Sequence, residues 1–115
     1  MLRKELEMLV ENREKMRGGD GIIKIKNLFK AEELCGKTRL VAEITVPVGG
    51  SIGYHTHDNE EEIYYFISGN GEVDDNGVRK QVSAGDAMLT GEGKGHAVYN
   101  TGNTPLILMA IILLY

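Results

Sequence analysis

The sequence has no tryptophan, only two prolines and a single cysteine among 115 residues. One thiol, Cys35, cannot form an internal disulfide, and the lack of thiolates excludes soft-metal clusters. Cys35 is read as an ordinary small core or loop residue. Long apolar runs are missing as well: Leu106 to Tyr115 is ten residues, about half of the ~20 that a helix needs to cross a bilayer, and reads as a buried strand. The N-terminus lacks the basic, apolar and small-residue order of a signal peptide, so a cytoplasmic setting and no membrane partner are expected. Positive charge is not in excess. With 13 Lys+Arg against 17 Asp+Glu, no electrostatic footprint for nucleic acid is visible, and no nucleic-acid partner is expected.

What is abundant is glycine, 15 residues, which would be costly in helices and is natural in the turns between short strands. Only residues 2 to about 17 carry a helical signature, with Leu2, Leu6, Leu9, Val10 and Met16 spaced among charges and Gly18-Gly19 as a stop. We expect a short amphipathic helix over residues 1–20, laid across a β domain over 21–115. Gly21 to Phe29 reads as an edge strand guarded by Lys24 and Lys26. Thr38 to Val46 alternates well, with Leu40, Ala42, Ile44 and Val46 on one face and Arg39, Val41, Glu43 and Thr45 on the other, either of which could line a cavity.

Further strands are expected at Glu72 to Asp74 and Val78 to Val82 around an Asn76-Gly77 hairpin turn, then at Ala87 to Thr90, His96 to Asn100 and the C-terminal run. Eight or nine short strands with no helix after residue 20 make an all-β sandwich or barrel. Fifty-odd residues in, Gly49 to Gly69 concentrates the chemistry. His55 and His57 stand two apart, so on a strand both point to one face and can share a metal. An acidic turn, Asp58 to Glu62, follows them and leads into the aromatic strand Ile63 to Ile67.

Two spacings extend this pattern: Gly49-x5-His55-x-His57-x4-Glu62-x6-Gly69, and Gly85-x5-Gly91-x-Gly93-x2-His96-x3-Asn100. They resemble the two conserved motifs of the cupin superfamily, with Gly91 where that family usually has proline. The resemblance covers residues 49–100 and is to small single-domain cupins described as oxalate-decarboxylase-like or sugar-isomerase-like. It implies a double-stranded β-helix, a jelly-roll-like barrel, and makes His55, His57, Glu62 and His96 ligands of one divalent metal. Three imidazoles and one carboxylate suit Mn, Fe, Co, Ni, Cu or Zn and leave two octahedral positions open. Glu61 is the fallback for Glu62. Tyr64 and Phe66 share the Glu62 side of their strand, and Asn100 either pins a strand end or touches ligand.

The function expected is that of a metal-dependent enzyme acting on a small oxygen-rich molecule, an organic acid, sugar or diketone, at the open positions; the alternative is a binding module without turnover. A decarboxylase would want a cation and a proton donor near the metal. Arg39 and Glu43 could serve, and so could Tyr64 or Tyr99 as hydrogen-bond donors, with solvated or packing roles as the plainer readings, so no catalytic residue is assigned. The C-terminal run is apolar on both strand faces, and so are Ile63, Tyr65 and Ile67 opposite the proposed site. A homodimer packed sheet to sheet is therefore expected, with exchange of the 21–29 strand as one variant of it.

Overall fold

A computed structural model describes all 115 residues. Ten strands follow one another: β1 (Leu9–Glu14), β2 (Ile22–Phe29), β3 (Thr38–Val46), β4 (Ser51–Thr56), β5 (Glu60–Ser68), β6 (Asn70–Asp75), β7 (Val78–Ser83), β8 (Ala87–Gly91), β9 (Gly95–Tyr99) and β10 (Leu106–Leu114). Helix is confined to three 3₁₀ turns, Glu5–Glu7, Met16–Gly18 and Ala31–Glu33. The strands make two antiparallel sheets, β1-β2-β3-β10-β5-β8 and β4-β9-β6-β7, which enclose one core. The all-β class and the barrel expected from the sequence are what the chain adopts.

Alternation explains how the sheets close on each other. Ala42, Ile44 and Val46 of β3, Leu106, Leu108, Ala110 and Ile112 of β10, and Tyr64 and Phe66 of β5 all point inward and are buried. Ile52, Val73 and Val98 meet them from the smaller sheet. The core-facing side of β3 is thus the Leu40-to-Val46 set. Asn76 and Gly77 both take positive φ, 49° and 96°, as a two-residue hairpin of this hand requires. Asn100 is buried and pins the end of β9: its amide donates to the carbonyls of Val46 and Thr104 and accepts from the Gly102 N–H.

Two expectations for the N-terminal part are corrected. Residues 2–17 do not form an amphipathic helix; Leu9–Glu14 is a strand paired with β2 from Leu9 opposite Asn27 to Glu14 opposite Ile22. A 16-residue helix without a groove to receive its apolar stripe is marginal in water, whereas the free edge of β2 satisfies a full ladder of backbone groups. Leu2 and Leu6 remain 80% and 99% exposed, so no apolar stripe is buried. Gly21 to Phe29 is accordingly an interior strand rather than an edge, held between β1 and β3. Lys26 ion-pairs with Glu5 and Glu43 and helps to tie the N-terminal turn to the sheet. Cys35 is exposed in the connection before β3.

Candidate metal centre

Two ladder irregularities aim side chains into the mouth of the barrel. Between β4 and β9 the pairing runs from Ile52 opposite Val98 to His55 opposite His96, so β4 carries one extra residue. In strict alternation Ile52, Tyr54 and Thr56 would share the inner face; the bulge shifts the phase by one residue and turns His55 inward instead. In β3 the register with β10 passes from Leu40 to Thr38 and skips Arg39, whose side chain is thereby sent across to β5. Past the end of β4, His57 is fixed by its backbone, which accepts from Gly93 and donates to Lys94. The glycine-rich loop from Gly91 to Gly95 thus holds one motif against the other.

The three imidazoles converge through their Nε2 atoms. His96 Nε2 lies 3.1 Å from His57 Nε2 and 3.1 Å from His55 Nε2, and Glu62 Oε1 lies 3.0 Å from both His57 and His96. All four donor atoms fall within 4.8 Å of one another. Donors at right angles on an ion with bonds of about 2.1 Å sit about 3.0 Å apart, against about 3.4 Å in a tetrahedron, so the spacing fits an octahedral edge. His55, His57, Glu62 and His96 can hold one metal ion. Glu62 rather than Glu61 supplies the carboxylate, because the parity of β5 puts it on the same inner face as Tyr64 and Phe66.

Each imidazole is oriented from behind. His55 Nδ1 is 2.8 Å from the Gly53 carbonyl, His57 Nδ1 is 2.5 Å from Glu60 Oε2, and His96 Nδ1 is 2.9 Å from Thr90 Oγ1. Such partners fix the tautomer that leaves Nε2 free for a metal. Arg39 completes a chain, donating through Nε and Nη2 to Glu60 at 2.8 Å each. Tyr64 stacks on the His96 ring at 4.7 Å with an angle of 11° between planes. Glu60, Thr90 and the orienting use of Arg39 were missed from the sequence. The signal for Glu60 was its place three residues after His57, but that acid stands in a run of three.

Electrostatics agree with the geometry. Burial resists ionisation of Glu62, yet hydrogen bonds from His57 and His96 outweigh it and hold the carboxyl at about 2. The Arg39 guanidinium, joined by His57, holds Glu60 at about 2. His57 is raised above its ordinary value, chiefly by its hydrogen bond to Glu62 and in part by Glu60, whereas burial pushes His55 down to about 4. Burial pushes the Tyr64 phenol well above its usual range, with Glu62 adding to the effect. Of the side chains considered for acid–base work, Glu43 pairs with Lys26 and Arg39 with Glu60, while Tyr99 packs under Arg79, 3.9 Å from the guanidinium.

His55, His57 and Glu62 open into a cavity of about 90 Å³, lined also by Arg17, Ile25, Leu40 and Tyr64. That is well below the ~300–1,000 Å³ of clefts for drug-sized molecules, so a ligand of few heavy atoms fits and a nucleotide does not.

Known proteins share this architecture. An oxalate-binding protein of Thermotoga maritima is 40% identical over 114 residues, 99% of this chain and 94% of that one. A crystal structure from the same organism, described as a predicted oxalate decarboxylase, superposes with a TM-score of 0.94 at 39% identity over the whole of both chains. A polyketide cyclase of Streptomyces resistomycificus shares the fold at 16% identity, with a TM-score of 0.76 over 99% of this chain and 80% of that one. With the family model for the cupin domain matching residues 42–112 and a relative this similar along its full length, the chain belongs to the cupin family.

Proposed function

We propose that the chain holds one divalent transition metal on His55, His57, Glu62 and His96 and binds a small organic acid of the oxalate class at the remaining coordination positions. The observation that carries this reading is the convergence of three Nε2 atoms and one carboxylate oxygen at octahedral spacing, each imidazole fixed from behind, at the end of a cavity sized for few atoms. A divalent ion there supplies Lewis acidity and two open positions for ligand oxygens. Similarity to a protein named for oxalate binding supports the choice of ligand class.

Binding is favoured over turnover because Arg39 and Glu43, the cation and acid that the sequence offers for decarboxylation, are committed elsewhere, Arg39 to Glu60 and Glu43 to Lys26. Turnover is kept as the second reading by one observation: the Tyr64 phenol, protonated and buried against His96 and near Glu62, is a proton donor beside the site. Elemental analysis of purified protein should find about one transition metal per chain, and oxalate added to the Mn-loaded protein should give a saturable heat of binding. Absence of metal after loading sinks the reading. Formate or CO₂ released from bound oxalate would move the function from binding to decarboxylation.

We also propose that the chain works as a homodimer. Val41, Ile111, Ile63 and Leu89 lie in one row across the outer face of the larger sheet, beside Met109 and Tyr65 in the next. Such a contiguous apolar face suits a second copy of itself.

A further inference from the structure

The cavity at the metal centre contains a cation that the four-ligand set leaves unused. The chain has five arginines, and four have carboxylate partners: Arg3 with Glu33, Arg13 with Glu11, Arg39 with Glu60, and Arg79 with Glu72. Arg17 has none, and it lines the cavity together with His55, His57 and Glu62. Arg17 is solvent-exposed, as unpaired arginines commonly are, but its place at the cavity is set by its backbone.

Its backbone is left-handed, with φ 55° and ψ 30°, a conformation that is unfavourable for a residue with a β-carbon and is kept only where the surroundings enforce it. Lys15, two residues earlier, is left-handed as well. What enforces the turn is contact with β4. A β-carbon on Gly53 would come within 2.0 Å of the Arg17 carbonyl oxygen, and one on Gly19 within 2.2 Å of the Ser51 carbonyl oxygen. The Met16–Gly18 turn therefore lies flush on the bulged strand that also carries His55, so Arg17 and the metal ligands are registered to one another through β4. An N-terminal helix would not have put it there.

Charge then identifies the ligand. Glu11 with Arg13 and Arg39 with Glu60 neutralise themselves at the mouth. Glu62 is the one anionic donor, so a divalent ion keeps one net positive charge, and Arg17 adds a second. We infer that Arg17 anchors the distal carboxylate of a small dianion whose near carboxylate takes the open metal positions, which makes the site selective for short dicarboxylates over monocarboxylates. This rests on the organic-acid reading above. A guanidinium suits the role because it meets a carboxylate with two parallel hydrogen bonds.

The test is calorimetric titration of the Mn-loaded full chain with oxalate and with acetate, for the natural protein, Arg17→Gln and Arg17→Lys. The natural protein should prefer oxalate at least tenfold. Arg17→Gln should weaken oxalate about ten- to a hundredfold, leave acetate within about threefold and keep its manganese by elemental analysis; Arg17→Lys should recover part of the loss. Oxalate affinity unchanged in Arg17→Gln, or acetate weakened as much as oxalate, overturns the role of Arg17 while the organic-acid reading stands. No binding of oxalate by the Mn-loaded natural protein overturns both. If Arg17→Gln fails to retain manganese, Arg17→Lys decides, since equal preference for acetate and oxalate in the natural protein or an unaltered preference in the lysine variant rejects the proposal.

Discussion

The two faces of the larger sheet are built from nearly the same residues and do different work. On β5, Phe66 points inward and is fully buried, while its neighbour Tyr65 points outward and is 50% exposed. On β10, Leu106, Leu108, Ala110 and Ile112 close the core, and Ile107, Met109, Ile111 and Leu113 stand half-covered on the other side. Hydropathy alone does not separate them. The inner face differs in admitting polar groups only where each has a fixed partner, Glu62 between His57 and His96, and Thr90 against His96. The outer face has apolar area in a row, with its ion pairs gathered to one side around Lys26, Glu43 and Glu5. Apolar content marks a face that is to be covered, and satisfied polar content marks the one that carries a site.

The comparison breaks most completely if the polar network of the inner face is removed. His55→Ala/His96→Ala takes away two of four donors, and metal content by elemental analysis should fall from about one per chain to background. Acid should do the same reversibly. His57, whose pKa is raised, takes up its proton before His55, which burial holds at about 4, so metal retention should decline from below about pH 6 and be lost by about pH 4. The metal-free protein should respond lower still. Glu60 ionises at about 2 when folded against 4.5 otherwise, so its contribution is complete above about 4.5 and disappears as pH falls through about 2, where thermal melts should show reduced stability.

Packing comes next in size. Phe66→Ala should cost about 3–5 kcal/mol of unfolding free energy in denaturant titrations. Glu60→Gln should leave the fold intact and weaken metal affinity about 10- to 100-fold, because the His57 ring loses the partner that fixes its tautomer. The smallest change in protomer stability belongs to Tyr65→Ala, at about 1 kcal/mol or less, but it should shift sedimentation from dimer toward monomer. If Tyr65→Ala proves as damaging to a monomer as Phe66→Ala, the distinction between the faces is wrong.

Much of this was legible in the sequence, for reasons that differ by residue. His55, His57, Glu62 and His96 were found because a two-part spacing survives whatever the loops do, and β3 and β10 because their alternation is long. The N-terminal segment misled because Leu2, Leu6, Leu9 and Val10 fit helical spacing by number, while the edge of β2 that captured it is a tertiary feature with no local sign. Arg17 was overlooked for the same reason, since it reaches the site through a strand 36 residues downstream of it, counted from Arg17 to Gly53. The pairing of Arg39 with Glu60 depends on the bulge in β3, which has no sign in the local sequence.

The extra residue in β4 is a step that can be edited out. Deleting Gly53 would restore strict alternation, with Ile52 and His55 two steps apart and both still inward, but would remove the carbonyl that lies 2.8 Å from His55 Nδ1 and the residue on which the Arg17 turn rests. A single-codon loss would thus keep the metal donors facing inward while unseating the cation beside them, separating metal retention from ligand choice.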